Sequence, residues 1–286
     1  MNTSSKEVHI SNGKSALHYW REIWQSRELF WILAKRDVIV RYKQSVLGVA
    51  WSIIRPLLTA LVMVFAFGKI AKLDQDTSIA YMLVVMPGVI VWLFFSQSLA
   101  QISNSIVGST NLVSKVYFPR LIVPLSSLML GLLDALIAFG LFVLLCAWYQ
   151  FIPDWKIIFA PIFMLLAYLG AFGFGLIAAV LNVKYRDIGQ LIPFLIQFGY
   201  FASPIAYPSE LVQEKLAQVN HGDWLYLLYT INPVAGSIDG LRWSLLGEFS
   251  VFNMQSFISL VIFDIVTIFI AIRMFRKNEN SFVDYI

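Results

Sequence analysis

The composition of this 286-residue chain predicts an all-α integral membrane protein with six transmembrane helices. Hydrophobic residues make up 59% of the chain and charged residues 13%, whereas soluble domains carry about 25% charged residues. The mean hydropathy is +0.73. Apolar runs of about 20 residues, the length of a membrane-spanning helix, recur along the chain. The predicted spans are 49–70, 80–104, 121–149, 157–182, 188–207 and 251–272.

The distribution of basic residues predicts the orientation of these spans. Lys and Arg near the ends of a span are retained on the cytoplasmic side. If both termini are cytoplasmic, sixteen of the 21 Lys and Arg residues fall on the inner side and five on the outer side. We therefore expect cytoplasmic termini. Because topology accounts for the excess of basic charge, no nucleic-acid partner is expected.

The segments outside the spans differ in character. Residues 1–15 are polar and predict a flexible cytoplasmic N-terminus without a cleavable signal. Residues 16–46 carry apolar side chains at helical spacing, which indicates an amphipathic helix at the cytoplasmic interface or packed on a neighbouring subunit. Residues 47–275 form the predicted six-span domain, and 276–286 form a cytoplasmic tail.

A further apolar stretch, from Trp224 to Leu246, is not predicted to cross the membrane. A full crossing would place the basic residues after 272 outside, against the charge bias. Proline, glycine and charged residues also interrupt the stretch. The region 208–247 is therefore predicted to form a re-entrant or interfacial pair of short helices on the outer face. Its candidate gate residues are Pro208, Asn232, Pro233 and Arg242.

Two carboxylates, Asp134 and Asp264, lie inside predicted spans. Ionisable groups at this depth are costly and are functional candidates by default. They could carry protons in a gradient-driven exporter of a small molecule or lipid, or they could hold neighbouring helices. Proton relays usually place several ionisable groups in series, whereas these two are isolated in the sequence, which favours the structural interpretation.

The sequence offers little for covalent chemistry. Its three histidines lack a second His or Cys at metal-ligand spacing, so no metal site and no catalytic residue are expected. Gly13-Lys14-Ser15 lacks the upstream glycine of a phosphate-binding loop, so the chain is not expected to bind ATP itself. A membrane-embedded glycan transferase remains the less favoured alternative because it would need a cluster of acidic, His or metal-binding residues.

Aromatic side chains cluster at 92–95 and 198–201. Sugar rings present apolar C–H faces that pack on aromatic rings, so rings facing a pore would suit a moving glycan. Packing against lipid is the alternative for any single ring. The candidate path residues are Trp92, Phe95, Tyr200 and Phe201.

Four sequence segments, taken in order, define a recognisable pattern. They are the run from Arg36-Asp37 to Trp51 with Arg55-Pro56, the turn Ser114-Lys115-Val116-Tyr117-Phe118-Pro119-Arg120, the loop Asn182-Val183-Lys184-Tyr185-Arg186-Asp187-Ile188, and Asn232-Pro233. With the preceding amphipathic helix, this order resembles the permease subunits of ABC-2 type polysaccharide exporters, which include O-antigen, capsule and teichoic-acid transporters. The resemblance covers nearly the whole chain.

The resemblance implies a homodimer in a bacterial inner membrane that works with two copies of a cytoplasmic ATPase. ATP and Mg²⁺ would bind to the ATPase, and a lipid-linked glycan would be the substrate. Residues 109–120 would form the coupling helix that enters a cleft on the ATPase. The candidate ATPase contacts are Asn111, Ser114, Lys115, Tyr117, Phe118, Arg120, Arg36, Asp37, Arg41, Tyr42, Lys43, Arg186 and Asp187.

Overall fold

The computed structural model describes residues 16–43 and 47–285, and within these ranges every regular element is a helix. The predicted flexible segment 1–15 lies outside the described residues. The α-helices are α1 (Ala16–Gln25), α2 (Arg27–Lys43), α3 (Ala50–Met63), α4 (Tyr81–Gly108), α5 (Thr110–Lys115), α6 (Ile122–Trp148), α7 (Ala160–Lys184), α8 (Ile188–Ala202), α9 (Ser209–Leu216), α10 (Gly222–Thr230), α11 (Pro233–Leu246), α12 (Met254–Asn278) and α13 (Phe282–Tyr285).

Five of the six predicted spans coincide with helices that are long and apolar enough to cross a membrane. Helix α3 continues without interruption as a π-helix to Ile70, and α7 is preceded by a 3₁₀ turn that begins at Trp155. Helix α4 extends past the predicted end at 104, and the hydroxyls of the buried Ser103 and Ser105 donate to carbonyl oxygens of the same helix. The five helical stretches are Ala50–Ile70, Tyr81–Gly108, Ile122–Trp148, Trp155–Lys184 and Met254–Ser281.

The sixth predicted span, 188–207, is only partly helical. Helix α8 has 15 residues, about 22 Å of helix against a hydrocarbon core of about 30 Å. It ends because Pro204 disfavours helical backbone at Ser203, which is extended. The chain still follows α4 closely, since Gly199 contacts the Trp92 ring and Ile205 contacts Gly88. A sixth crossing stays a prediction.

Helix α4 occupies the centre of the bundle. It packs against α6 and α7 most extensively and also contacts α3, α8 and α11. Glycines on α7 allow its neighbours to approach closely: Gly170 and Gly173 lie against Asp264 and Thr267 of α12, and Gly175 lies against α4. Small residues serve this purpose in membrane helices because backbone packing provides much of their association energy.

A second hydrophobic core joins α1, α2 and α5 to the ends of the long helices. Its buried members include Tyr19, Leu33, Val113 and Phe118. A single helix was predicted at 16–46; the described part of this range, 16–43, forms two helices, which meet where the Ser26 hydroxyl donates to the Glu22 carbonyl oxygen at 2.9 Å. Such back-bonding bends helices. Three tryptophans of α1 and α2 are exposed: Trp20, Trp24 and Trp31.

The prediction of two short helices for the region 208–247 was wrong in number. Three helices, α9, α10 and α11, occupy this region. Asn232 and Pro233 begin α11 instead of interrupting a helix: the Asn232 side chain caps the Val234 N–H at 3.0 Å, and proline fits the first helical position. The charged residues Asp239 and Arg242 lie inside α11 and are buried.

Candidate functional site

Helix α5 lies within the range 109–120 that was predicted as the coupling helix, but it is shorter than that range, and its coupling role stays a prediction. Helix α5 ends at Lys115, and Val116 is extended. Val113 and Phe118 fix the segment to the second core. The opposite side is exposed and carries the predicted contact residues Asn111, Ser114, Lys115 and Tyr117. A rigidly based, exposed polar surface of this kind can receive a partner protein.

Other predicted ATPase contacts fall in two places. Arg36 and Asp37 pair with each other on the exposed side of α2, with Arg36 Nη2 2.7 Å from Asp37 Oδ1, and Lys43 at the end of α2 is exposed. Arg186 and Asp187 are exposed in the connection between α7 and α8.

Asn182 ties the α7–α8 connection to α4. Its Nδ2 donates to the Ser103 carbonyl oxygen at 3.0 Å and to Asn104 Oδ1 at 3.1 Å. Asn182 is buried. The exposed connection is therefore attached to the last turns of α4, just before α5.

Arg41 and Tyr42, predicted as ATPase contacts, instead lie beside Asp134 of α6. Tyr42 Oη donates to Asp134 Oδ1 at 2.7 Å, and Ser52 Oγ donates to the same oxygen. Arg41 Nη2 lies 2.9 Å from Asp134 Oδ2, and only 13% of the Asp134 side chain is exposed. Burial raises the pKa of Tyr42, and the neighbouring Asp134 carboxylate adds to this effect, so the phenol stays a proton donor. Asp134 thus connects α2, α3 and α6.

Gln97 of α4 completes this polar cluster. With its amide oriented to satisfy the surrounding donors and acceptors, Oε1 accepts from Arg41 at 2.8 Å and from Arg55 at 2.9 Å, and Nε2 donates to Asp134 at 2.6 Å. Two guanidinium groups and one carboxylate leave a net charge of +1. A cavity of about 30 Å³, large enough for water, lies beside the cluster. We call Arg41, Tyr42, Ser52, Arg55, Gln97 and Asp134 the Asp134 cluster.

Asp264 of α12 has a different environment. It is buried, and neither carboxyl oxygen has a hydrogen-bond partner among the described residues. A Cβ placed on Gly170 would come within 2.9 Å of Oδ1 and 3.6 Å of the Phe95 ring. The carboxyl group therefore fills a space formed by a glycine and an aromatic ring.

The candidate path aromatics do not form one surface. Trp92 and Phe95 are buried within the chain, and the Trp92 ring packs on Tyr200 with centroids 5.8 Å apart. Phe201 is 70% exposed. Only this last ring projects freely from the chain.

Arg242 was predicted as an outer gate residue. It is buried, with 2% of its surface exposed, and its hydrogen bonds link neighbouring segments. Its guanidinium donates to carbonyl oxygens of the α8–α9 connection and, at 3.0 Å, to that of Val84 in α4. Asn232 Nδ2 reaches Ser203 Oγ at 2.9 Å. Pro208 immediately precedes α9 and lines a cavity of about 400 Å³. Helix α11 and the α8–α9 connection are thus fixed to the start of α4.

Sequence reasoning missed several residues of these networks. A glutamine within an otherwise apolar run, as at Gln97, was the available signal for the Asp134 cluster. Arg55 was noted in the sequence only as part of the Arg55-Pro56 pair and not as a partner of Asp134. No local pattern indicated Glu279, which contacts Arg120 from the far end of the chain.

The bundle of long apolar helices with an exposed polar helix at one end defines a multi-pass membrane protein. Comparison with known proteins then identifies its family. The profile of the ABC-2 type transporter family matches residues 28–246, more than half of the chain, and the chain belongs to this family. The resemblance to ABC-2 polysaccharide-exporter permeases predicted from the sequence is confirmed.

Individual relatives match over nearly the full length. The O-antigen export system permease protein RfbA of Myxococcus xanthus is 25% identical over 266 residues, covering 93% of this chain and 98% of the relative. RfbA of Klebsiella pneumoniae is 27% identical, covering 90% and 94%. The polysialic acid transport protein KpsM of Escherichia coli is 23% identical, covering 86% and 92%.

Proposed function

We propose that this chain is the permease subunit of an ATP-driven exporter that moves a lipid-linked polysaccharide across the bacterial inner membrane. The observation that carries the proposal is the similarity to O-antigen export permeases over nearly the whole of both chains. Two permease copies assemble with two cytoplasmic ATPase subunits, which bind ATP and Mg²⁺. Both termini of the permease lie in the cytoplasm, in agreement with the distribution of Lys and Arg.

The surface of α8 supports the dimeric part of the proposal. Ile192 is the only residue of α8 that is buried against the chain. Gln190, Phe194, Gln197 and Phe201 follow one face of the helix at intervals of three or four residues, and all are exposed. Amides and aromatic rings on one face suit sugars, which present hydroxyl groups and apolar C–H faces. A second copy facing this surface would enclose a polar path.

A lined path is needed because polar groups in hydrocarbon cost several kcal/mol each when they lack hydrogen-bond partners. The energy for moving the glycan comes from the ATPase, which docks on the exposed side of α5. The chain itself performs no covalent chemistry in this mechanism. Its residues bind the ATPase, pass on its motion and line the path.

Reconstitution in proteoliposomes tests the proposal. The permease is combined with a candidate ATPase subunit, and both ATP hydrolysis and glycan translocation are measured. We expect the permease to stimulate hydrolysis and translocation to require ATP. Nucleotide hydrolysis by the purified permease alone, or translocation without ATP, would contradict the proposal. Lys115→Ala on the exposed side of α5 should weaken the stimulation, whereas Lys156→Ala, predicted to lie outside, should not.

One observation favours the alternative of a proton-coupled exporter. The buried Asp264 carboxyl lacks a hydrogen-bond partner among the described residues, as a proton-binding group in a membrane can. Under this alternative, a proton gradient without ATP drives transport, and Asp264→Asn abolishes it. The same vesicles, energised by a gradient or by ATP, separate the two mechanisms.

A further inference from the structure

The residues that follow α12 bind the connection between α5, the proposed coupling helix, and α6. Glu279 Oε1 accepts a hydrogen bond from the backbone N–H of Arg120 at 2.8 Å. The backbone carbonyl oxygen of Glu279 accepts another from the Arg120 guanidinium. The two residues are 159 positions apart in the chain, so these bonds join the beginning of α6 to the end of α12.

The segment that carries Glu279 is itself firmly placed. Phe282 is 1% exposed and packs edge-on against Phe275 of α12, with ring centroids 5.2 Å apart. The Arg276 guanidinium lies 5.1 Å from the centre of the Tyr19 ring in α1. Burial, reinforced by the nearby Glu279 carboxylate, raises the pKa of Tyr19, so its ring remains neutral. Glu279 is thus held on a support built from α1 and α12.

The other end of α12 reaches the outer helices. A Cβ on Gly236 of α11 would lie 2.5 Å from the Ser256 carbonyl oxygen, so the two helices are in backbone contact. Through Arg242, α11 also holds the connection between α8 and α9. Helix α12 has 25 residues, which is about 37 Å of rigid rod. One end of this rod therefore contacts the coupling connection and the other contacts the outer helices.

We propose that Glu279 is a positioning residue that fastens the coupling connection to α12, so that displacement of α5 by the ATPase is passed along α12 to the outer helices. The inference rests on the proposed function. The role requires a hydrogen-bond acceptor in the side chain at position 279. It does not require a negative charge, because the acceptor receives a neutral backbone N–H.

The experiment measures glycan translocated per ATP hydrolysed in the reconstituted complex. Glu279→Ala removes the carboxyl acceptor of the Arg120 N–H and keeps the backbone carbonyl, and it should lower this ratio at least fivefold while ATP hydrolysis stays within twofold of the wild type. Glu279→Gln keeps an acceptor oxygen and should keep the ratio within twofold. The control Lys277→Gln changes an exposed charge on the same helix and should have no effect. A ratio within twofold of the wild type for Glu279→Ala would overturn the proposal.

Hydrogen exchange of the assembled complex tests the contact without relying on transport. In Glu279→Ala, amide exchange within residues 116–121 should accelerate at least tenfold, whereas Glu279→Gln should leave it unchanged. If Glu279→Ala does not assemble, Phe282→Leu weakens the same support and should accelerate exchange at these residues about threefold. Unchanged exchange in the assembled variant overturns the contact itself. If the wild-type complex does not transport glycan but Glu279→Ala still accelerates exchange, the contact is supported and the proposed function is overturned.

Discussion

Asp134 and Asp264 give the same signal in the sequence, a single carboxylate in an apolar span, but the structure surrounds them differently. Asp134 accepts from Tyr42 and Ser52 and pairs with Arg41. Asp264 is buried without a hydrogen-bond partner among the described residues. Residue type and position in an apolar span therefore mark a carboxylate as a functional or structural candidate. Only its hydrogen-bond and ion-pair partners indicate which role it has.

The two environments imply different dependence of stability on the carboxyl group. Removing one member of a buried ion pair leaves the other charge without compensation, which costs more than the pair contributes. Removing an unpaired buried carboxyl lowers the stability little, because no hydrogen bonds offset the cost of its desolvation in the wild type. The predictions below follow this difference from the largest effect to the smallest.

Asp134→Ala should give the largest loss. Arg41 and Arg55 would remain close together without the carboxylate, and the hydroxyls of Tyr42 and Ser52 would lose their acceptor. We expect the free energy of unfolding, measured by reversible denaturation in bicelles, to fall by about 3–5 kcal/mol. Asp134→Asn retains an acceptor oxygen and should lose clearly less. Equal losses for the two variants would contradict the pairing.

Gln97→Leu should have the next largest effect. Leucine preserves most of the volume but removes the amide that bridges both guanidinium groups to Asp134. The expected loss of unfolding free energy is about 1–3 kcal/mol, the cost of leaving buried polar groups unpaired. The matched control is Gln197→Leu on the exposed face of α8, which should not destabilise the monomer. A neutral Gln97→Leu would show that the bridge is not formed.

Gly170→Ala tests the packing around Asp264. Its new Cβ would crowd the Asp264 carboxyl oxygen at 2.9 Å, so we expect a loss of about 1 kcal/mol. In an Asp264→Ala background the space is vacant and the loss should disappear. A double-mutant cycle measures this difference directly. Additive effects would mean that the two residues do not share the space.

The sequence predicted the long helices well because a span is recognised from its length and hydrophobicity alone. It failed where a specific backbone or side-chain contact decides the outcome. Pro204 ends α8 early, and the Asn232 cap starts a helix where an interruption was expected. The exposed side of α5 could be predicted from polar residues in sequence, whereas the Asp134 cluster joins four distant segments and needed the fold.

The most direct test of the account is ATP-driven transport by a complex that carries Asp264→Asn, measured in vesicles whose proton gradient has been collapsed. If the unpaired carboxyl only fills space and the ATPase supplies the energy, glycan translocation should continue within twofold of the wild-type rate. Loss of translocation in a variant that still assembles and hydrolyses ATP would contradict the account and assign Asp264 a direct role in transport.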